Sequence, residues 1–585
     1  MTETVAAMVE PRSDTAPVLS LQDLHVTFAG GVHAVRGVTL DVHSGEVLAL
    51  VGESGSGKSA LGLAALGLLP ATARLRGAAL LGGTDMVTAS DAVRRAARRA
   101  HAGAVFQDPM TSLNPSMKVG RQVAEAGDDV DVATFLRAAG IADPELRAGQ
   151  YPHELSGGLR QRVMIAMAVA GAPALVVADE PTTALDVLVQ AEVLRLFRRL
   201  CDTTGTSVVF VTHDLAVAAS VADRIAVLYG GRLLELGTAR EVLQGSAHPY
   251  TAGLLASRTG PTSRKDVPLP TLPGEPPDPR RPEPGCAFAP RCGLAHVPCT
   301  TALPELLPSS RHAGHDACVR SSEPVDVRLQ AVGSWPRQVE AGGEGDALLL
   351  DDITKAFGRR GARRVVLDGV SLAVPRGGSL ALVGESGCGK TTTLRIAVGL
   401  ETADGGAVRL DAGDRPQLVA QDAGASLTPW LKVGELLEER LRADGQDRAA
   451  RRTAVSDVLA LVGLPPEVAL ARPRQLSGGQ RQRVALARAV VVPPRLLACD
   501  EPISALDVSL AAVVLNLLGR LRRELGLALL FVTHDLAAAR LVADEVAVMH
   551  DGRIVEHGRA DDVLFAPQHA HTQALLAAVP TIGRG

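Results

Sequence analysis

Apolar runs that stop abruptly on glycine or on carboxylates punctuate this chain, and they come in matched sets. VLALVG, starting at Val47, and LALVG, starting at Leu380, each lead into a glycine-rich turn and then an amphipathic stretch such as KSALGLAALGLL, an order that predicts strand, loop, helix. ALVVADE (174–180) and RLLACDE (495–501) read as buried strands that end on paired acids. A β-rich FVT run follows in each set, at 210–212 and 531–533. Strands alternating with helices in this way predict an α/β fold.

The repetition is literal. LSGGLRQRV at Leu155 returns as LSGGQRQRV at Leu476, 321 residues later, and ADEPTTALDV and FVTHDLA recur at the same offset. Upstream the register slips: VGESGSGKS at Val51 and VGESGCGKT at Val383 are 332 apart, whereas Gln107 and Gln421 are 314 apart. The chain is a duplicated unit, divided here into a first domain (1–260), a linker (261–345) and a second domain (346–585). Thirteen of the 36 prolines fall between Pro261 and Pro308, a density that forbids regular helix. That stretch begins with AHPYTAGLLAS, echoed weakly near the chain's end by QHAHTQALLAA, but its Pro- and Cys-rich continuation occurs once.

Composition narrows the classes. At 585 residues with 46% hydrophobic and 21% charged side chains, the chain has enough apolar material for several cores. A formal charge of −4 gives no sign of a nucleic-acid partner. The uncharged stretch 163–178 is sixteen residues long and broken by Gly171 and Pro173, short of the roughly 20 needed to cross a bilayer. The first residues have neither a basic flank nor an apolar core, so no secretory signal is expected there.

Lysine occurs only at 58, 118, 265, 355, 390 and 432, which makes its place in both glycine-rich turns informative. A flexible Gly/Ser turn would account for the glycines but not for a lysine and hydroxyl at the helix start. Backbone N–H groups of such a loop cradle phosphate oxygens, the lysine reaches the terminal phosphates and the hydroxyl serves Mg²⁺. The candidates are Gly52, Glu53, Ser54, Gly55, Ser56, Gly57, Lys58 and Ser59, and Gly384, Glu385, Ser386, Gly387, Cys388, Gly389, Lys390, Thr391 and Thr392. Asp179 and Asp500 are placed to hold Mg²⁺ through its water shell, and Glu180 and Glu501 to polarise an attacking water.

The set of P-loop, glutamine loop, LSGG signature, DE pair, ALD turn and following histidine resembles the ATP-binding cassette (ABC) family in both copies. That resemblance implies two tandem P-loop NTPase nucleotide-binding domains, each with a helical signature subdomain, joined by the Pro/Cys-rich irregular linker. It implies a head-to-tail pair within one chain. Lys58 then shares its ATP with Ser477, Gly478, Gly479 and Gln480, and Lys390 shares its own with Ser156, Gly157 and Gly158. Carried over by position, Gln107 and Gln421 are metal and water sensors, His213 and His534 γ-phosphate histidines, and Asp186 and Asp507 members of the loop linking the sites. Phe28 and Phe357 are either adenine-stacking aromatics or strand residues packed in a core. Two departures stand out: Leu159 replaces the glutamine found at Gln480, and Gln421-Asp422-Ala423 lacks the proline present at Pro109.

HPYTAGLLAS followed by LPGEPPDPRRPEPGCAFAPRC is similar to the tail of oligopeptide and dipeptide importer ATPases, a branch that includes nickel and glutathione systems. This implies an ATPase at the cytoplasmic face of the membrane that docks on two integral-membrane permease subunits and depends on an extracytoplasmic solute-binding protein. Exporters and soluble two-cassette ribosome-associated ATPases share the engine; the latter carry long, charged, helical linkers, unlike this one. Cys286, Cys292, Cys299 and Cys318, spaced C-x5-C-x6-C-x18-C, suit a 4Fe–4S cluster or Zn²⁺, with unmetallated packing residues as the plain alternative. The resemblance favours the cluster, and His296, His312 and His315 keep mixed ligation open. Cys201, Cys388 and Cys499 read as small packing or loop residues rather than nucleophiles.

Overall fold

The computed structural model describes residues 16–127, 130–183, 185–260, 263–320, 333–339, 345–358, 363–411, 415–504 and 506–582. The N-terminal stretch discussed above lies almost wholly outside them, as do Ala184 and Ala505 of the two ALD turns.

Each half builds a mainly parallel sheet around its P-loop strand. Val47–Val51 is buried at every position, because it runs between parallel neighbours Ser207–Thr212 and Arg224–Tyr229 and is covered on both faces. Leu175–Asp179 and Ala102–Val105 extend the sheet on one side and antiparallel Arg232–Thr238 on the other. The second half repeats this with Ser379–Gly384 between Ala528–Thr533 and Glu545–His550, flanked by Leu496–Asp500, Gln417–Val419 and antiparallel Arg553–Arg559. The tandem α/β architecture expected from the sequence is the one found.

A second, antiparallel sheet in each half is built on Leu19–Phe28 and on Asp346–Phe357. The helix after the P-loop is held between the two sheets: Leu61, Ala64 and Ala65 share a core with Leu24, Val26, Leu48 and Val209. Helices Val119–Ala124, Val132–Ala138 and Gly157–Val169 pack around a separate core containing Val123, Leu136 and Val163, which carries the LSGG turn at its edge. The same helical unit in the second half uses Leu436, Leu459 and Val484.

The proline-rich linker differs from an irregular spacer in one respect. His315–Asp316 pairs antiparallel with Arg232–Thr238, and Leu307–Pro308 pairs with it in turn, so the linker extends the first half's sheet to eight strands. Upstream, Cys286, Phe288 and Cys299 are buried with Tyr229 and Tyr250 of the first half. Among the described residues, no helix is long and apolar enough to cross a membrane.

Candidate functional site

Both glycine-rich loops fold as the strand–loop–helix pattern requires. Gly57 (φ 102°) and Gly389 (φ 114°) sit at the turn into the helix, and a Cβ on Gly57 would come within 2.2 Å of the Ala34 carbonyl oxygen. Lys58 Nζ donates to the carbonyls of Gly52 (2.7 Å) and Glu53 (2.9 Å), and Lys390 Nζ to those of Gly384 (2.8 Å) and Glu385 (2.7 Å). Burial lowers the Lys58 pKa, while Glu180, Asp507, Asp179 and Glu53 pull it back. The loop tips, Ser54 and Gly55 and likewise Ser386 and Gly387, are exposed, whereas Ser56 and Cys388 are tucked beneath. Thr392 is half-buried in the first turn of helix Lys390–Ala397.

The groups expected at the reacting end converge in both halves. Ser59 Oγ donates to Asp179 Oδ1 at 2.9 Å, and Thr391 Oγ1 to Asp500 Oδ1 at 3.3 Å, so each hydroxyl and carboxylate presents oxygens side by side. Burial raises the pKa of both aspartates, opposed by those hydroxyl donors. Gln107 Nε2 donates to Glu180 Oε2 (3.2 Å) and Gln421 Nε2 to Glu501 Oε2 (3.1 Å). His213 Nδ1 and His534 Nδ1 each lie 3.3 Å from the other oxygen of their glutamate. Burial works to raise the Glu180 pKa, but the His213 hydrogen bond and charge, with Thr183, hold it at about 2; Glu501 is lowered likewise, by His534 and Lys390. The same contacts raise both histidines against the opposing effect of burial. Glu180 (φ 45°) and Glu501 (φ 44°) both adopt the left-handed region, a strained conformation that aims the carboxylate away from its strand.

The halves face one another. One cavity of about 1070 Å³ is lined by Ser54, Gly55 and Ser56 of the first half and by Ser477, Gly478, Gln480 and Asp507 of the second. The Ser54 N–H donates to Asp507 Oδ2 at 3.2 Å, and Ser509 hydrogen-bonds Glu53 across the same boundary. Burial and the charge of Asp186 together raise the Glu385 pKa. Between these, Thr182, Thr183, His213 and Asp214 share a cleft with Ser504, Thr533, His534 and Asp535.

The sequence profile of the ABC transporter family matches residues 35–183 and 367–504, and that of the oligopeptide/dipeptide transporter C-terminal region matches 234–299 and 555–585. The chain is 41% identical to the oligopeptide transport ATP-binding protein OppD of Mycobacterium tuberculosis, covering 97% of this chain and 98% of that one. The chain belongs to the ABC transporter family. It is also 38% identical to the peptidoglycan transport ATP-binding protein YejF of Agrobacterium fabrum, over 97% of each chain. With the glutathione import ATP-binding protein GsiA of Escherichia coli K12 it shares 36% identity, over 97% of this chain and 90% of that one.

Within this two-cassette ABC chain, the signature serines cap their helices: Ser156 Oγ accepts from Leu159 N–H (3.4 Å) and Ser477 Oγ from Gln480 N–H (3.2 Å). Gln480 returns the bond, its Oε1 accepting from Ser477 N–H at 3.1 Å, which completes a reciprocal cap that Leu159 has no side-chain acceptor to form. Phe28 is half-buried at a strand end against the antiparallel sheet's core, and Phe357 is 44% exposed with Lys355 Nζ 5.2 Å from its ring centre. His33 and Arg36 line the first cavity instead.

The linker contributes groups the motifs gave no sign of. Arg291 donates to both oxygens of Glu53 (2.6 and 3.3 Å) and to Tyr229 Oη (3.1 Å), while Tyr250 Oη accepts from the Glu53 N–H at 2.9 Å. Both Arg291 and Glu53 side chains are under 5% exposed. Farther along the linker, Glu275 accepts from Gln480 (3.0 Å) and Arg483 (3.1 Å) of the second signature helix. Cys286, Cys292, Cys299 and Cys318 converge on one small cavity with His248 and Phe288. Burial pushes the Cys286, Cys292 and Cys318 thiols up, Cys318 to about 11. His296 Nδ1 is 3.2 Å from Cys299 Sγ, whereas His312 is engaged with buried Glu235. Cys201 and Cys499 lie in hydrophobic cores.

Proposed function

We propose that this chain hydrolyses ATP to power import of di- and oligopeptides through a separate pair of integral-membrane permease subunits, at the cytoplasmic face of the membrane. An extracytoplasmic solute-binding protein would deliver the cargo. The observation that carries the reading is the shared cavity in which the first P-loop faces the second signature turn. Loop amides and Lys58 bind the phosphates of one ATP, and Ser477, Gly478, Gly479 and Gln480 close over it from the opposite cassette. Lys390 and its loop take the second nucleotide under Ser156, Gly157 and Gly158. Asp186 and Asp507 tie each clamp to its neighbour.

Glu180 and Glu501, held ionised at neutral pH by their histidines, accept a hydrogen bond from the attacking water and align it on the γ-phosphate. Gln107 and Gln421 hold the outer oxygen of each glutamate. His213 and His534 steady the inner oxygen and are placed beside the phosphate that leaves. Ser59 with Asp179, and Thr391 with Asp500, offer the hard oxygen ligands Mg²⁺ prefers and would hold it; the ion neutralises phosphate charge when bound. Closure on ATP and reopening after hydrolysis supply the stroke to the permeases.

The four linker cysteines fit a resident metal group, because all line one cavity. Tetrahedral Zn–S bonds of ~2.3 Å would set the sulfurs ~3.8 Å apart. Among the described residues no three of these sulfurs fall within 4.8 Å of one another, wider than that zinc spacing.

Uptake of a labelled dipeptide by cells in which this chain is replaced by Glu180→Gln or Glu501→Gln tests the cargo. Loss of uptake with either variant, together with sedimentation of the chain with membranes, is expected. Undiminished uptake would overturn peptide import. Because GsiA carries its import name at 36% identity, labelled glutathione forms the parallel arm.

A further inference from the structure

The cassettes differ in what stands behind each P-loop. In the first, Glu53 is neutralised by the linker's Arg291 and framed by Tyr229 and Tyr250. At the same 321-residue offset the second cassette has His550 and His571 in place of the two tyrosines, and the linker that supplies Arg291 occurs once. Glu385 therefore faces two imidazoles. One ring nitrogen of each histidine and one Glu385 oxygen lie within 4.8 Å of one another, the one such His/Cys/Asp/Glu trio among the described residues.

We propose that Glu385, His550 and His571 form a binding site for a first-row divalent transition metal such as Zn²⁺, which takes in the second cassette the place of the guanidinium in the first. Imidazole and carboxylate suit these ions, and two histidines with one glutamate form a three-ligand set that leaves a coordination position open. His571 Nδ1 stands 3.6 Å from Glu385 Oε1, longer than a good hydrogen bond and close to the ~3.4 Å between neighbouring ligands on tetrahedral Zn²⁺ with bonds of 2.0–2.2 Å. The His550 and His571 rings lie 3.9 Å apart, tilted by 31°, closer than the ~5 Å between ring centres on one tetrahedral ion, so binding would splay the stack.

The His571 side chain is 9% exposed, which limits competition from water for its Nδ1. Asp551 Oδ2 lies 3.6 Å from His550 Nε2. The ion would join three elements: the P-loop, the end of strand Glu545–His550 and helix Ala570–Ala578. It does for the second cassette what the linker does for the first.

The test uses the full-length, tag-free chain, titrated with Co²⁺ in the absence of nucleotide and followed by visible absorption and bound-metal analysis. One equivalent is expected to bind without thiolate-to-cobalt charge transfer, which separates it from any ion at the four cysteines. The double variant His550→Tyr/His571→Tyr restores the first cassette's side chains and should lose that equivalent. Glu385→Gln, which keeps both histidines, should weaken it at least about tenfold. Equal binding by wild type and both variants, or cobalt bound with thiolate absorption alone, would overturn the site. Neither readout depends on ATP hydrolysis or on cargo.

Discussion

Behind the first phosphate loop a buried arginine grips Glu53, and behind the second the equivalent Glu385 looks onto two histidines. In front of the loops nothing comparable differs: lysine, hydroxyl, aspartate, glutamate, glutamine and histidine recur with contacts that agree to within about half an ångström. The groups proposed to meet phosphate recur in both copies while their supports differ, and only the first copy has the Arg291 linker folded against it. The two halves are matched in chemistry and unmatched in mechanics.

The largest expected consequence of that difference is in stability. Arg291→Met leaves Glu53 buried without its cation, and breaking such a pair costs about 3–5 kcal/mol. Thermal unfolding should show the first cassette melting several degrees lower with the second unmoved, and Glu385→Gln, at a 34% exposed carboxylate, should shift its own cassette far less. Equal shifts would erase the distinction.

Next in size, Glu180→Gln and Glu501→Gln should each reduce steady-state ATP turnover about 100-fold. In the proposed arrangement each centre is closed by the other half, so a block on one side should stall the shared cycle. A variant retaining half the turnover would show two independent centres.

A third test is pH. The Glu180 pKa lies at about 2, below its usual 4.5, so its stabilising contribution is complete above about pH 4.5 and lost on acidification toward 2. His213 is raised above 6.5, so its share is complete below about 6.5 and lost as pH climbs through the raised value. The melting difference between wild type and Glu180→Gln should therefore be greatest near about pH 5.5 and shrink on either side. His534 and Glu501 shift in the same directions, so Glu501→Gln should trace the same profile.

The smallest effect is at the signature. Leu159→Gln supplies the acceptor that Gln480 provides in the second half and should stabilise the first helical unit by no more than about 1 kcal/mol. Gln480→Leu should cost more than Leu159→Gln gains, since it also releases Glu275.

The reacting groups were legible from the chain because each motif is local: a run of five apolar residues, a turn, a helix start. Their convergence followed from repetition at fixed spacing. The partnership of Arg291 with Glu53 was not legible, since 238 residues separate them and nothing in a proline-rich stretch singles out one arginine. The sheet extension by His315–Asp316 was hidden because two residues carry no periodicity. The echo between HPYTAGLL and HAHTQALL did hold the clue to the second loop, as it sets Tyr250 against His571. Phe28 and Phe357 illustrate the reverse: an aromatic at a suggestive distance proves half-buried at a strand end in one copy and surface-exposed in the other.

The linker is moored on both banks of the first cleft. Arg291 holds it to the P-loop side, while Glu275 holds Gln480 and Arg483, and Asn516 exchanges two 2.8 Å hydrogen bonds with the Leu269 backbone on the far side. When the cassettes part, the weaker far-side moorings must let go, and because they are covalently tethered nearby they re-form at high effective concentration. Among the described residues no linker contact of this kind reaches Lys390 or Ser156, so in the proposed cycle separation is expected to begin there, with the first nucleotide released last.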